Sequence, residues 1–590
     1  MRRPLPYVLR DGLRDGARPY ARGISLLALT TALALSIPWF LRRAVDGLRA
    51  GTSLRQVGIL AGTIAGAALL QTLVRTASRV VVLGYSRKAV AAVRERLQAH
   101  LLDLPASFFD RARVGDLMSR AVNDLRSLRN FFGPGVLNVA NTFLMSGAAL
   151  GMMLWINVPL TGAALIACPL FVVLARRTVR QIHWRSRRAQ EQLADLTSRV
   201  EQSVMGHLQI KVFSQEEREM RAFAALSEAY RQANLDLARA EGRMAPLVGL
   251  LGGLGALAVL GLGGWQVARG AMTLGDFVAF NVLLGQLSGP LIMLGWTFDL
   301  FQRGQAAALR IQEILEETPI QEPRAPRVAR PARGALELRG LEFQYGSNHR
   351  GPVLGGVSLS VAPGERLGIV GAVGSGKSTL LALVAGLYPP TAGSILLDGI
   401  PISDWPREEL RRVVVLAPQD AFLFSRSLAD NIRLGKPDLS RAEVEEWLRR
   451  VAFERDLEAF PNGVDTLVGE RGLSVSGGQR QRAALARTLA VDARVLLLDD
   501  PLSMVDPETE SRILDSLDAV LRDRTVLLCT HRTGLLARMD RIVVLDGGRI
   551  VEQGTHEELL RRNGAYARLA LDSRIQGQTG AVETQAGGSP

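Results

Sequence analysis

Six apolar runs crowd into the first three hundred residues, and they limit the fold more than anything else in the chain. They lie at Gly23–Leu41, Val57–Leu73 (extendable to Gly84), Gly135–Ile156, Val158–Ala175, Ala245–Ala268 and Phe277–Trp296. Each approaches the ~20 residues a helix needs to cross ~30 Å of hydrocarbon. A soluble helical core does not call for six such runs in succession. The expected first half is therefore an all-α domain of six membrane-spanning helices, embedded in a lipid bilayer.

The connections between the runs set the orientation. INVP leaves only a tight turn between the third and fourth, and ARGAMTLGD is short between the fifth and sixth. Residues 86–130 and 176–243 are instead long, charged and helix-patterned, with 9 and 13 Lys/Arg; the opposite side carries 4, none and 1. Positive-inside bias assigns the long connections and both termini to the cytoplasm. A multi-pass protein of the cytoplasmic (inner) membrane follows. The start, MRRPLPYVLRDGLRDGARPYARG, stays basic too long for a cleaved signal and reads as an amphipathic helix on the cytoplasmic membrane surface. Basic cytoplasmic loops account for the net charge of +14 without a nucleic-acid partner. Cys168 and Cys529 are far apart and form neither a disulfide framework nor a zinc spacing. Asn138, Asn141, Gln71, Gln266, Asn281, Gln286 and Asp299 fall within the spans. They either line a substrate path or bond across helices.

The composition then changes. Glu317–Gly334, ETPIQEPRAPRVARPARG, has four prolines and no apolar period, so it reads as an extended linker. The expected organisation is a transmembrane domain over 1–316, a linker over 317–334, an α/β domain over 335–572 and a disordered polar tail over 573–590.

In the α/β part, strand-like RLGIV runs into GAVGSGKST, which fits G-x-x-x-x-G-K-[ST] at Gly371, Gly376, Lys377 and Ser378. Glycines such as Gly371, Gly374 and Gly376 let successive backbone N–H groups cradle phosphate oxygens, with Ser375 and Thr379 beside them. Lys377 reaches the terminal phosphates of ATP, and the Ser378 hydroxyl can hold Mg²⁺. Only four of the 71 Lys and Arg residues are lysines, so a lysine here marks a need for a compact ammonium. Asp499, ending the apolar run VLLLD, supplies a second metal contact, and Asp500 follows it directly. Between these motifs, LSVSGGQRQRAALARTLA opens a helix at Ser476, Gly477, Gly478 and Gln479, whose start offers N–H groups to an anion.

SGGQRQR, at its distance from Lys377 and Asp499, resembles the signature of ATP-binding cassette (ABC) proteins. The resemblance covers nearly the whole chain. Gln419 in VVLAPQD looks like the Q-loop residue that touches metal and membrane domain, and Asp506 in SMVD like the D-loop. His531 in CTHR looks like the switch histidine at the γ-phosphate. Tyr345 in LEFQYG resembles the adenine-stacking aromatic. Glu470 and Arg471 in TLVGERG resemble the segment communicating with the membrane domain. LPASFFDRARVGDLMSRAVND resembles the exporter pattern at the first coupling helix. Six spans before one cassette imply a half-transporter of the type IV exporter class, with coupling helices near Phe108–Asp116 and Val212–Glu217. In that family two chains share each ATP between one chain's phosphate loop and the other's signature.

Two positions depart from the family pattern. Val475 replaces the usual leucine of LSGGQ. Asp500 stands where the catalytic glutamate normally follows the metal-binding aspartate. A shorter base implies an ATP-holding, slowly hydrolysing site beside an intact signature, as in heterodimeric exporters similar to the antigen-peptide transporter, with a different, glutamate-bearing partner. The alternatives are a homodimer in which Asp500 works, and an ATP-gated channel or regulator. The cargo implied is a hydrophobic drug, lipid or peptide. Few acids line the spans, which gives no reason to favour polycations.

Overall fold

The computed structural model describes residues 6–166, 168–320, 332–346, 351–469 and 475–571. It divides into two compact units, Met1–Leu102 with Gly115–Glu317, and Asp103–Val114 with Thr318–Pro590.

The first unit is helical throughout. Its long helices are Ala17–Arg49, Leu54–Asp103, Val136–Ile156, Cys168–Met205, Glu216–Gly242 and Leu274–Leu315. At 1.5 Å per residue the 50-residue helix Leu54–Asp103 is about 75 Å long. It therefore runs on well past any hydrocarbon layer. Among the described residues three helices are long and apolar enough to cross a membrane: Ala17–Arg49, Leu54–Asp103 and Val114–Ile156. The shorter apolar stretches Gly253–Ala268 and Leu274–Leu287 coincide with the fifth and sixth runs. The fourth run crosses residue 167, outside the described residues.

Local chemistry fixes the turns. The Asn157 side chain accepts from the Leu160 N–H (2.9 Å) while Pro159 occupies the first turn, which starts a new helix within INVP. Thr273 and Asp276 form a reciprocal capping box at the start of Leu274–Leu315. Pro134 sits in a π-turn, Phe131–Gly135, where a widened turn accommodates the missing N–H. Helices approach closely at Gly23, where any Cβ would strike Val82, and there the Ser78 hydroxyl donates to the Gly23 carbonyl at 2.7 Å.

The N-terminal basic segment does form a helix, Tyr7–Asp15, but its apolar face is not turned to lipid. Val8 and Leu9 are buried in a cluster with Val90, Leu125, Leu128, Phe132 and Ile311. Burying that face against protein removes the same apolar area from water, and it also closes a core that would otherwise be open.

Among its described residues the second unit holds two main sheets and a small antiparallel pair, Arg426–Ser427 with Leu467–Val468. Leu354–Val361, Leu336–Phe343, Ala392–Leu397 and Ile400–Pro401 make an antiparallel one, in that order. The larger sheet runs Arg549–Gly554, Arg541–Asp546, Arg366–Val370, Thr525–Cys529, Val495–Asp499, Val414–Ala417, and every pairing except the first is parallel. All five residues of Val495–Asp499 and of Thr525–Cys529 are buried, as expected of central strands covered on both faces. Each parallel crossover returns the chain to the same edge. The carboxyl ends of Arg366–Val370, Thr525–Cys529 and Val495–Asp499 therefore lie side by side, the position where open α/β sheets place their ligands.

Candidate nucleotide site

The phosphate loop needs its glycines for two different reasons. Gly374 (φ +82°) and Gly376 (φ +101°) are left-handed, a conformation an L side chain resists. At Gly376 a Cβ would also lie 2.7 Å from Leu354 Cδ2. Gly371 is a matter of space, since a Cβ there would run into the Leu545 carbonyl and stand 2.7 Å from Ser375 Oγ. Gly371→Ala is accordingly expected to abolish nucleotide binding and destabilise the domain by about 1–3 kcal/mol. Fluorescent-nucleotide titration and thermal unfolding check the two effects.

Lys377 opens the helix Lys377–Val384 and folds back over the loop, its ammonium donating to the Gly371 and Ala372 carbonyls at 2.8 and 2.9 Å. Burial lowers its pKa, against the pull of the carboxylates of Asp499 and Asp500. Ser375 is buried, and its hydroxyl has no partner among the described residues. Ser378 hydrogen-bonds to the buried Asp499, whose pKa is nonetheless raised by burial and by the neighbouring Asp500. Together these groups fit a nucleotide with its metal. The cradle excludes Cβ atoms, and one buried hydroxyl lacks an acceptor. Two adjacent acids also gain from a divalent cation. No cluster of three or more His, Cys, Asp or Glu among the described residues could hold a metal by itself. Ser378 and Asp499 are hard oxygen donors suited to Mg²⁺, which ordinarily completes its shell with phosphate oxygens and water.

Asp500 is one of five non-glycine described residues with positive φ (+45°). Aspartate is among the few residue types that tolerate this region. Its N–H donates to the Cys529 carbonyl (2.8 Å), and its Oδ1 accepts from the Thr530 hydroxyl at 3.0 Å. Thr530 is 1% exposed, so the carboxylate is tethered to a rigid point. The next residue, His531, has its pKa lowered by desolvation and by the Lys377 charge, with Asp500 opposing. The imidazole is therefore neutral near pH 7, able to donate from one nitrogen and accept at the other. Gln419 is exposed two residues beyond Val414–Ala417, whose register partner across the sheet at Ala417 is Leu498.

Tyr345 sets its hydroxyl 3.1 Å from Thr379 Oγ1 and packs edge-on against Phe343 and Tyr388, with centroids 4.8 and 5.5 Å apart. The three rings border a cavity of about 960 Å³, large enough for a nucleoside. Tyr388 escapes a reading of the sequence. Its phenol donates to Asp110 at 2.9 Å, tying the short helix Ala106–Arg111 into this unit, and burial together with Asp110 holds its pKa above the usual tyrosine value.

The signature forms a separate cluster. Ser476 caps the helix Gly477–Leu489, accepting from the Gln479 N–H (3.2 Å) while Gln479 Oε1 accepts from the Ser476 N–H (2.8 Å). The two glycines leave room for the loop after Asp500. A Cβ on Gly477 would meet the Met504 sulfur, and one on Gly478 would lie 2.8 Å from the Met504 carbonyl. Gln481 holds the same loop by accepting from the Met504 N–H (2.8 Å) and donating to Ser503 (2.6 Å). Arg532, unremarked in the sequence, donates to the Ser503 and Val505 carbonyls and pairs with Glu510. Asp506 caps Pro507–Leu521 through the Thr509 N–H (2.9 Å), which lowers its pKa. Val475 is buried in the surrounding apolar cluster. Among the described residues no hydrogen bond joins residues 476–479 directly to residues 371–378. Glu470 and Arg471 lie outside the described residues.

Family models for an ABC transporter transmembrane region and an ABC transporter match residues 22–291 and 354–503. The chain is 37% identical over 495 residues to a probable multidrug resistance ABC transporter ATP-binding/permease protein of Bacillus subtilis, YheI, covering 83% of this chain and 84% of that one. It is 34% identical to the multidrug resistance-like ATP-binding protein MdlA of Escherichia coli, covering 96% and 97% of the two chains. It is also 34% identical to an ATP-dependent lipid A-core flippase of Chromobacterium violaceum, covering 81% of this chain and 82% of that one. A solved bacterial Atm1-family ABC exporter with ATP bound superposes with a TM-score of 0.75 at 30% identity, covering 94% of this chain and 98% of that one. The chain belongs to the ABC transporter family. Within it, this is an exporter-type fusion of a helical membrane domain to an ATP-binding cassette, a multi-pass membrane protein that couples ATP hydrolysis to transport.

Proposed function

We propose that the chain is one half of a two-chain exporter, binding ATP with Mg²⁺ at a slowly hydrolysing site of its own and lending its signature to the competent site of a different, glutamate-bearing half-transporter. The observation that carries this reading is the carboxylate of Asp500. It is one methylene shorter than the family's glutamate and is held by Thr530 at 3.0 Å. A general base must reach its water to within hydrogen-bond distance. The phosphate-binding residues Gly371, Gly374, Ser375, Gly376, Lys377, Ser378 and Thr379, with Asp499 and Gln419 toward the metal, carry no such defect. Nor do Ser476, Gly477, Gly478 and Gln479. Separation of signature from phosphate loop within one chain agrees with a site completed only by a second chain.

Residues 335–572 are taken as the cassette and 1–316 as the membrane domain, with both termini cytoplasmic, because the 9 and 13 basic residues of the long connections favour that side. The cargo is a lipophilic drug, a lipid or a peptide, and the multidrug and lipid A-core names of the relatives agree with the first two. Inside-out vesicles carrying this chain and a copurified partner should accumulate a fluorescent lipophile when ATP is added, and vesicles carrying this chain alone should not. ATP-driven accumulation by this chain alone would establish a homodimeric pump. An ATP-dependent leak without accumulation would establish a gated pore.

A further inference from the structure

Within the first unit, a cavity of about 270 Å³ is lined by Leu27, Leu83, Pro134, Leu137, Trp296 and four polar side chains, Arg75, Arg79, Asn138 and Asn141. The polar set is dominated by donors. Arg75 and Arg79 are four residues apart on Leu54–Asp103, so both face the same way, with Leu83 one further turn along. Neither has an acidic partner among the described residues, and Asp299, on the same helix as Trp296, is occupied by Arg303 at 3.0 Å. The Asn138 amide nitrogen is buried without an acceptor. Of the other polar span residues, Gln266 accepts from Asn157 (2.6 Å) and Asn281 donates to the Phe277 carbonyl (3.1 Å), while the Gln286 side-chain oxygen, which is not part of this cavity's lining, is buried without a partner among the described residues.

Two like charges one turn apart repel, and an unpaired cation at the end of an apolar span is costly. A buried amide donor without an acceptor adds to that cost. A single acidic group from a ligand would relieve all three at once, and a guanidinium pair suits a phosphate, sulfate or carboxylate. The apolar part of the lining, three leucines, Pro134 and an exposed tryptophan, suits an apolar body attached to that group. Arg75 lies just after the apolar run Val57–Leu73, at one end of the span rather than its middle. From these placements we infer that Arg75, Arg79 and Asn138 form an anion-recognising subsite for amphiphiles that carry one acidic group on an apolar body. The inference rests on the exporter reading above and names the chemical class of its cargo. An acidic membrane lipid and a water-borne lipophilic acid share this chemistry.

The test is equilibrium binding without ATP, on the purified full-length transporter in phosphatidylcholine nanodiscs. One arm uses radiolabelled estrone-3-sulfate against neutral estrone, and the other uses spin-labelled phosphatidylglycerol against spin-labelled phosphatidylcholine. The anion of at least one pair should bind better than its uncharged or zwitterionic analogue, and the arm that responds identifies the source. Arg75→Gln with Arg79→Gln should weaken that anion by roughly tenfold or more. Arg75→Lys with Arg79→Lys should retain most of the binding, and the uncharged analogue should be indifferent to both. No preference for either anion, or equal anion binding by a Gln variant with an unchanged melting temperature, overturns the inference. ATP-driven accumulation of the cationic dye Hoechst 33342 in vesicles, run in parallel, reports on the exporter reading separately. Dye transport without anion binding removes only the subsite, whereas loss of all transport removes the exporter.

Discussion

Asp500→Glu is expected to raise the ATPase rate of the chain purified alone in lipid by about a hundredfold. Extending the side chain by one methylene advances the carboxylate by roughly 1 Å, and a misplacement of that size can cost ~10² in rate. That is ~2.7 kcal/mol of barrier. Nucleotide affinity should hardly change, because the cradle, Lys377, Ser378 and Asp499 are untouched. The backbone adds a second expectation. Residue 500 is left-handed at φ +45°, which aspartate tolerates better than most residues do. The glutamate variant should therefore melt at a slightly lower temperature while turning over faster, a combination that general stabilisation of the fold cannot produce. Steady-state hydrolysis, nucleotide titration and thermal unfolding of the same preparations decide it. Brisk turnover by the native chain, with little change on substitution, would mean that the Thr530-anchored aspartate is an adequate base.

What could be read from the sequence follows from how each feature is encoded. The phosphate loop is legible because a left-handed turn and close packing against the Leu545 carbonyl both demand glycine, at fixed spacing from a lysine. Buried parallel strands are legible because VLLLD and TVLLC are apolar on both faces, leaving no alternation to confuse them with edge strands. Thr530 and Arg532 were not, because their roles arise only when Thr525–Cys529 is placed beside Val495–Asp499, and that neighbour relation is a matter of crossover order. Tyr388 is illegible for the same reason, since it is 278 residues from the Asp110 it bonds. Tyr7–Asp15 is legible as an amphipathic helix, but what covers its apolar stripe is not. A helix of nine residues with an apolar stripe looks alike whether lipid or Leu125 covers the stripe. The polar span residues split between both readings, Gln266 bonding across helices and Asn138 lining a cavity.

In the assembled two-chain exporter, damage to this chain's two motifs should have very unequal effects. If the asymmetric proposal holds, Lys377→Ala weakens a site that contributes little hydrolysis, so total turnover should fall by no more than about tenfold. Under the same proposal, Gly478→Val would act on the partner's site. Its Cβ would press on the Met504 carbonyl at 2.8 Å and its branches would obstruct the N–H groups at the start of Gly477–Leu489. Loss of a preorganised donor from a phosphate-transfer site costs about 10²–10³ in rate, so turnover should drop by at least a hundredfold. The valine variant must still bind fluorescent nucleotide through Lys377, which separates a lost signature from a misfolded cassette. In a homodimer every site contains both motifs, and the two substitutions would then be about equally damaging. Unequal loss favours the asymmetric assembly and equal loss favours the symmetric one, whatever cargo is used and whatever rate Asp500 itself supports.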